Sequence, residues 1–156
     1  MNRRGLLLGA LQLGGILAIA GRFWLDRSRL PRAWVKTAPF DPHTPLRGRY
    51  VRLRLDVTPD APLPPGTGYV TLSARDGKLM ISPSATPGHF VVHNAEGRIL
   101  LSEPLAYFIP DDVPDPSRRE PGEELWVEVS VPPRGAPRPV RLAVKRGETF
   151  TPLAMP

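Results

Sequence analysis

A chain of 156 residues with 41% hydrophobic content can bury one modest core but not two, which leaves a single domain beside its N-terminal segment. Its 21 prolines and 14 glycines lie between alternating apolar runs, so they signal short strands with stiff loops and exclude long helices beyond the N-terminus. The formal charge of +6 is almost all arginine, with lysine only at Lys36, Lys78 and Lys145, and the lack of cysteine excludes disulfides, zinc-thiolate centres and thiol nucleophiles. Arginine suits bidentate contact with phosphate or carboxylate. A genome rich in arginine, alanine, proline and glycine codons would produce the same excess.

Residues 1–25 form the first element. After Asn2-Arg3-Arg4 come seventeen uncharged residues from Gly5 to Gly21, interrupted only by the polar Gln12. As a helix they span about 26 Å, just short of a hydrocarbon core. Arg22 can snorkel and Phe23-Trp24-Leu25 supply an aromatic belt, which completes a single transmembrane pass. The expectation is an uncleaved signal anchor in the inner (cytoplasmic) membrane with the rest of the chain on the periplasmic side. Ala18-Ile19-Ala20 before Gly21 also fits signal-peptidase cleavage, which would release a soluble exported domain, and Arg3-Arg4-Gly5-Leu6-Leu7 resembles a twin-arginine signal. The balance of positive charge points the other way, because Arg22, Arg27, Arg29, Arg32 and Lys36 outnumber Arg3 and Arg4. The short basic tail leading into the apolar run decides the orientation adopted here.

Small residues recur on the helix as Gly5/Gly9 and as Ala10/Gly14/Ala18, a spacing that lets another transmembrane helix approach closely. Glycine and alanine are common in such segments for no reason of packing as well. Residues 26–38 are basic, with Trp24 and Trp34 interleaved from Arg22 to Lys36, and read as a juxtamembrane linker lying against lipid headgroups. A nucleic-acid partner does not fit beside a membrane span.

The domain occupies residues 39–156. A proline-stiffened loop from Pro39 to Pro45 leads through Leu46-Arg47-Gly48 into a strand in which Val51, Leu53, Leu55 and Val57 alternate with Tyr50, Arg52, Arg54 and Asp56. Gly48 permits positive φ at the join. Further strands are expected near Tyr69–Ala74, Lys78–Ser82, His89–His93, Arg98–Leu101, Leu105–Ile109, Leu125–Val131 and Val140–Val144, with turns at Asp76-Gly77, Asn94–Gly97 and Pro132–Gly135. The fold class is therefore mainly β: a single transmembrane helix followed by a small antiparallel β-sandwich or partly open β-barrel. In Leu125–Val131 the outward residues are Trp126 and Glu128, preceded by Glu124. If this strand neighbours Tyr50–Val57, Glu124 and Glu128 neutralise Arg52 and Arg54 across the ladder. If not, Tyr50, Arg52 and Arg54 form an exposed strip about 14 Å long that can dock an anionic group or an acidic partner.

Phe40-Asp41-Pro42 followed by Leu46-Arg47-Gly48-Arg49-Tyr50-Val51-Arg52-Leu53-Arg54-Leu55 resembles the signature of the GDYXXLXY-motif proteins, a bacterial family of uncharacterised function. Tyr107-Phe108-Ile109-Pro110-Asp111 is similar to the family's downstream Phe-x-Pro-acid stretch, so the resemblance covers roughly residues 39–111. It implies a membrane-anchored β domain associated with a multi-spanning membrane protein, because members are often encoded beside one or fused to one. Gly48, Tyr50 and Leu53 agree with the motif; Arg49 replaces its aspartate and Leu55 its final tyrosine, so this chain lacks that carboxylate and that hydroxyl. The candidate interaction surface is Gly48, Tyr50, Arg52, Arg54, Tyr107 and Phe108.

Catalytic chemistry is poorly represented. Ser73, Ser82, Ser84, Ser102, Ser117 and Ser130 include no G-x-S-x-G elbow, and an anchored serine–lysine hydrolase is the best enzymatic alternative. His89 and His93 on one strand would stand about 13 Å apart, too far to share a metal ion. Asp111, Asp112 and Asp115 lack EF-hand spacing, and no glycine-rich phosphate loop precedes a helix, so no cofactor is expected.

Overall fold

The computed structural model describes residues 3–39, 50–65, 67–110 and 112–154. The chain divides into two units, Met1–Leu30 and Pro31–Pro156. In the first, α1 (Arg3–Arg29) is a helix of 27 residues. Its Leu8–Leu25 window is long and apolar enough to cross a membrane, a property shared by anchors and signal sequences alike.

The second unit is built around β1 (Arg32–Pro39), a strand that the sequence reading assigned to the basic linker. Ala33, Val35 and Thr37 are buried while Trp34 and Lys36 look outward. Their small buried side chains give a weak apolar signal, and the interleaved cations mask it. One edge of β1 pairs antiparallel with β9 (Glu123–Ser130), Trp34 opposite Glu128 and Lys36 opposite Trp126. The other edge changes partner along its length. Trp34 lies beside Lys78 of β5 (Lys78–Ser84) in parallel, and Thr37–Pro39 runs antiparallel to Leu55–Leu53 of β2 (Tyr50–Leu55).

One path through the sheet therefore runs from β11 (Thr149–Pro152) through β10 (Arg138–Arg146), β9, β1 and β2 to β8 (Leu105–Phe108). A branch adds β5, flanked by β4 (Tyr69–Arg75) and β3 (Thr58–Pro59). β6 (Val91–His93) and β7 (Ile99–Leu101) form a separate pair, tied to the motif strand through the Asp56–Leu100 bridge. The sheets do not close, and they are antiparallel apart from the β1–β5 and β3–β5 contacts. A helix followed by a mainly β domain is the fold.

Alternation decides the core. Val51, Leu53 and Leu55 of β2, with Val57 beyond it, meet Leu125, Val127 and Val129 of β9, Val70, Leu79 and Ile81 of β4 and β5, and Leu142 of β10 in one cluster. Each such side chain, fully buried, stabilises the fold by about 1.5–3 kcal/mol before entropy is charged against it. All eight expected strands are present with shifted ends. His89 falls outside β6, where it bridges to Val70 instead. The Asp76-Gly77 turn has φ of 51° and 72°, the left-handed pair that a tight hairpin between β4 and β5 requires.

Candidate functional site

The motif strand gives its two faces different work. Inward, Leu53 is 0% exposed and Leu55 hardly more, so two of the signature positions are core positions. Where the motif has tyrosine, Leu55 removes a hydroxyl that this apolar site would have to satisfy. Outward, Tyr50 sits opposite Phe108 of β8, their rings 6.0 Å apart and tilted by 55°. The Arg52 guanidinium lies 5.5 Å from the Tyr50 ring centre, within cation–π range. Ala106 is the residue opposite Arg52, and Ala38 of β1 is opposite Arg54. Phe108 is 74% exposed. The outer face thus presents an aromatic pair continued by two arginines.

Four of the six candidate surface residues share that face: Tyr50, Arg52, Arg54 and Phe108. Tyr107 does not. It is half-buried and packs against the core, because period-two alternation turns it away from Phe108. Gly48 lies outside the described residues, as do Arg49 and the Phe40-Asp41-Pro42 loop. On α1, Gly9, Ala10, Gly14 and Ala18 are exposed, and a Cβ built on Gly9 or Gly14 meets nothing. Gly5 belongs to the same helix.

The expected pairing of Arg52 and Arg54 with Glu124 and Glu128 is absent, because β1 lies between β2 and β9. Glu124 instead accepts hydrogen bonds from Lys36 Nζ and from Trp126 Nε1 at 3.1 Å. The Lys36 bond holds its carboxyl below the usual carboxylate range against the opposing effect of burial, with the Trp126 bond and the charges of Lys36 and Lys145 adding to the drop. Glu128, 6% exposed, accepts from Arg141 Nε at 2.7 Å and has Arg32 Nη1 at 3.9 Å. Both glutamates thus find their cations on the two strands that flank β9.

The outer face of β1, β9, β10 and β11 also carries a cluster that sequence reasoning missed. Trp34 meets Phe150 edge-on at 4.8 Å, and Trp126 lies 6.1 Å from the same ring. Arg141 stands 5.3 Å over Trp34 and Lys145 5.8 Å over Trp126. Outward tryptophans on alternating strands were the available signal; the meeting with Phe150 depends on β11, a strand too short to read. Beyond the cluster, a charged cleft of about 620 Å³ is lined by Lys36, Arg98, Arg119, Glu120, Glu123 and Glu124 among others.

No serine is hydrogen-bonded to histidine or lysine among the described residues; Ser82 donates to Asp60 and Ser117 to Asp115. His89 is occupied by the Gly135 carbonyl at 3.2 Å and by Glu103 at 3.7 Å. Among the described residues no three metal-ligating side chains converge.

A family model described as GDYXXLXY protein matches residues 17–142. The chain belongs to the GDYXXLXY family. Neither the curated proteins nor the solved structures yield a match. In this GDYXXLXY protein the matched span runs from the second half of α1 into β10, so membership takes in the helix end, β1 and the whole motif strand.

Proposed function

We propose that this GDYXXLXY protein is a non-catalytic, membrane-anchored interaction module, an accessory subunit of a multi-spanning integral membrane protein. In this reading α1 is a single pass in the inner membrane and the β domain lies on the periplasmic side. The observation that carries it is the exposed apolar surface of α1, where Leu11 is 75% and Trp24 70% exposed along with Leu8, Leu13, Ile16, Leu17 and Ile19. Such a surface does not persist in water, and lipid together with a neighbouring helix is the environment that suits it. The small residues Gly9, Ala10, Gly14 and Ala18 let that neighbour approach. On the β domain, Tyr50 and Phe108 are the aromatic anchors, and Arg52 and Arg54 orient an acidic partner.

The test is extraction of the tagged protein from its native membrane in gentle detergent. The expected result is stoichiometric recovery of a multi-spanning protein, reduced at least tenfold by Tyr50→Ala with Phe108→Ala. Recovery unchanged by that pair removes the surface from the reading. Appearance of the chain alone in the soluble fraction, beginning at Gly21, identifies α1 as a cleaved signal and overturns the anchor.

A further inference from the structure

Three connections of the β domain meet at one end of its sheet. Only Leu30 and Pro31 separate the last residue of α1 from the first of β1. The β9–β10 turn lies beside that junction: Val131 N donates to the Pro31 carbonyl at 2.9 Å, and Arg32 and Arg138 both stand opposite Ser130. The β4–β5 hairpin is there too, because β5 runs parallel to β1 with Lys78 beside Trp34, and Trp34 N donates to the Gly77 carbonyl at 2.8 Å.

Tertiary pairing thus gathers Arg32, Lys78, Arg134, Arg138 and Arg141, which are scattered over 110 residues of sequence (141 − 32 + 1), onto one rim. The rim's carboxylates are Glu128, shared between Arg32 and Arg141, and Asp76, with Glu103 reaching it through His89. Lys78 and Arg134 are exposed and make no ion pair among the described residues. At the other end of β9 and β10, Glu120, Glu123, Glu124 and Glu148 interleave with Lys36, Arg146 and Lys145. There the close pairs Arg146–Glu120, Arg146–Glu123 and Lys36–Glu124 leave no comparable basic excess.

The geometry points to this rim, with Lys78, Arg134 and Arg138 at its centre, as a docking surface for anionic lipid headgroups. The inference rests on α1 being a membrane span. Arg32 follows Arg29 by three residue steps, at most about 11 Å of chain, so the rim that holds Arg32 is the end of the sheet that the chain enters directly from α1. Clustered arginine and lysine attract an anionic leaflet, and the attraction falls off with salt. The outward Trp34, next along β1, is of the residue type that partitions to the headgroup region.

The full chain is reconstituted into nanodiscs of phosphatidylcholine alone or with phosphatidylglycerol, and backbone hydrogen exchange is followed by mass spectrometry. Exchange in the 131–137 and 76–78 turns is expected to slow at least threefold with phosphatidylglycerol, while the 146–149 turn stays unchanged. The slowing should vanish in 0.5 M salt, about a 4–5 Å screening length, and in the Lys78→Ser, Arg134→Ser variant. A thermal midpoint equal to that of the unaltered chain shows that this variant is folded. Equal exchange in the two lipids, or slowing that survives the variant, overturns the docking surface while leaving the anchor intact. Failure of the chain to enter the discs overturns the anchor, and with it this placement.

Discussion

The motif leucine separates a packing signature from a binding signature. Leu53 is fully buried in the middle of β2, and truncation to alanine removes about three methyl or methylene groups, roughly 2.4 kcal/mol at 0.8 kcal/mol each. The cavity left behind raises the cost to about 3–4 kcal/mol, inside the range of buried leucine truncations. For a unit of 126 residues (156 − 31 + 1) each kcal/mol lowers the midpoint by about 3–5 °C, so Leu53→Ala should melt some 9–20 °C below the unaltered chain. Circular dichroism of the detergent-solubilised protein reads this directly. Tyr50→Ala, one pleat away on the outer face, gives up a half-exposed ring and its pairing with Phe108, about 1 kcal/mol. The two variants should split: Leu53→Ala lowers stability and keeps partner recovery wherever it is folded, and Tyr50→Ala does the reverse. A Leu53→Ala cost below about 1 kcal/mol, or a larger loss of stability for Tyr50→Ala, would refute the division of faces.

Restoring the family tyrosine by Leu55→Tyr should destabilise by about 1–3 kcal/mol in denaturant titration, because the ring and its hydroxyl enter a filled apolar site. Gly88→Ala should cost a similar amount, since the added Cβ would stand 2.6 Å from the Val70 carbonyl oxygen where the backbone runs beside the Val70–His89 bridge. Glu124 has a depressed folded-state pKa, so its stabilisation is complete above the unfolded value of 4.5 and is lost as pH falls through the lower folded value. Lys36→Met should flatten that acid limb. The change at neutral pH should stay under about 1 kcal/mol because the pair is more than one-third exposed. Glu128→Ala should cost about 1–2 kcal/mol by removing the 2.7 Å bond from Arg141, and Arg141→Ala alone should cost more, since it leaves the buried Glu128 carboxylate with only Arg32 at 3.9 Å, whereas the half-exposed arginines are solvated when Glu128 is removed.

The sequence by itself determined the apolar helix, eight of the eleven described strands and the face that the long alternating ones bury. These follow from local rules: an unbroken apolar run, and alternation that sends Val51, Leu53 and Leu55 one way and Tyr50, Arg52 and Arg54 the other. The same local chemistry located the Asp76-Gly77 hairpin, whose two positive φ angles few other residue pairs accept. Alternation also separates Tyr107 from Phe108, and applying it there would have removed Tyr107 from the candidate surface.

Which strands became neighbours was decided only in three dimensions. Arg52 and Arg54 could have faced Glu124 and Glu128 on equally good local grounds. They do not, because Arg32–Pro39 inserts between those strands and binds β9 along one edge and both β2 and β5 along the other. Backbone hydrogen bonds are indifferent to sequence, so the order of strands is chosen by how the buried faces of the whole sheet fit together. That global choice set Trp34 against Phe150, gave Glu128 to Arg141, and collected Lys78, Arg134 and Arg138 on the end of the sheet that follows the helix.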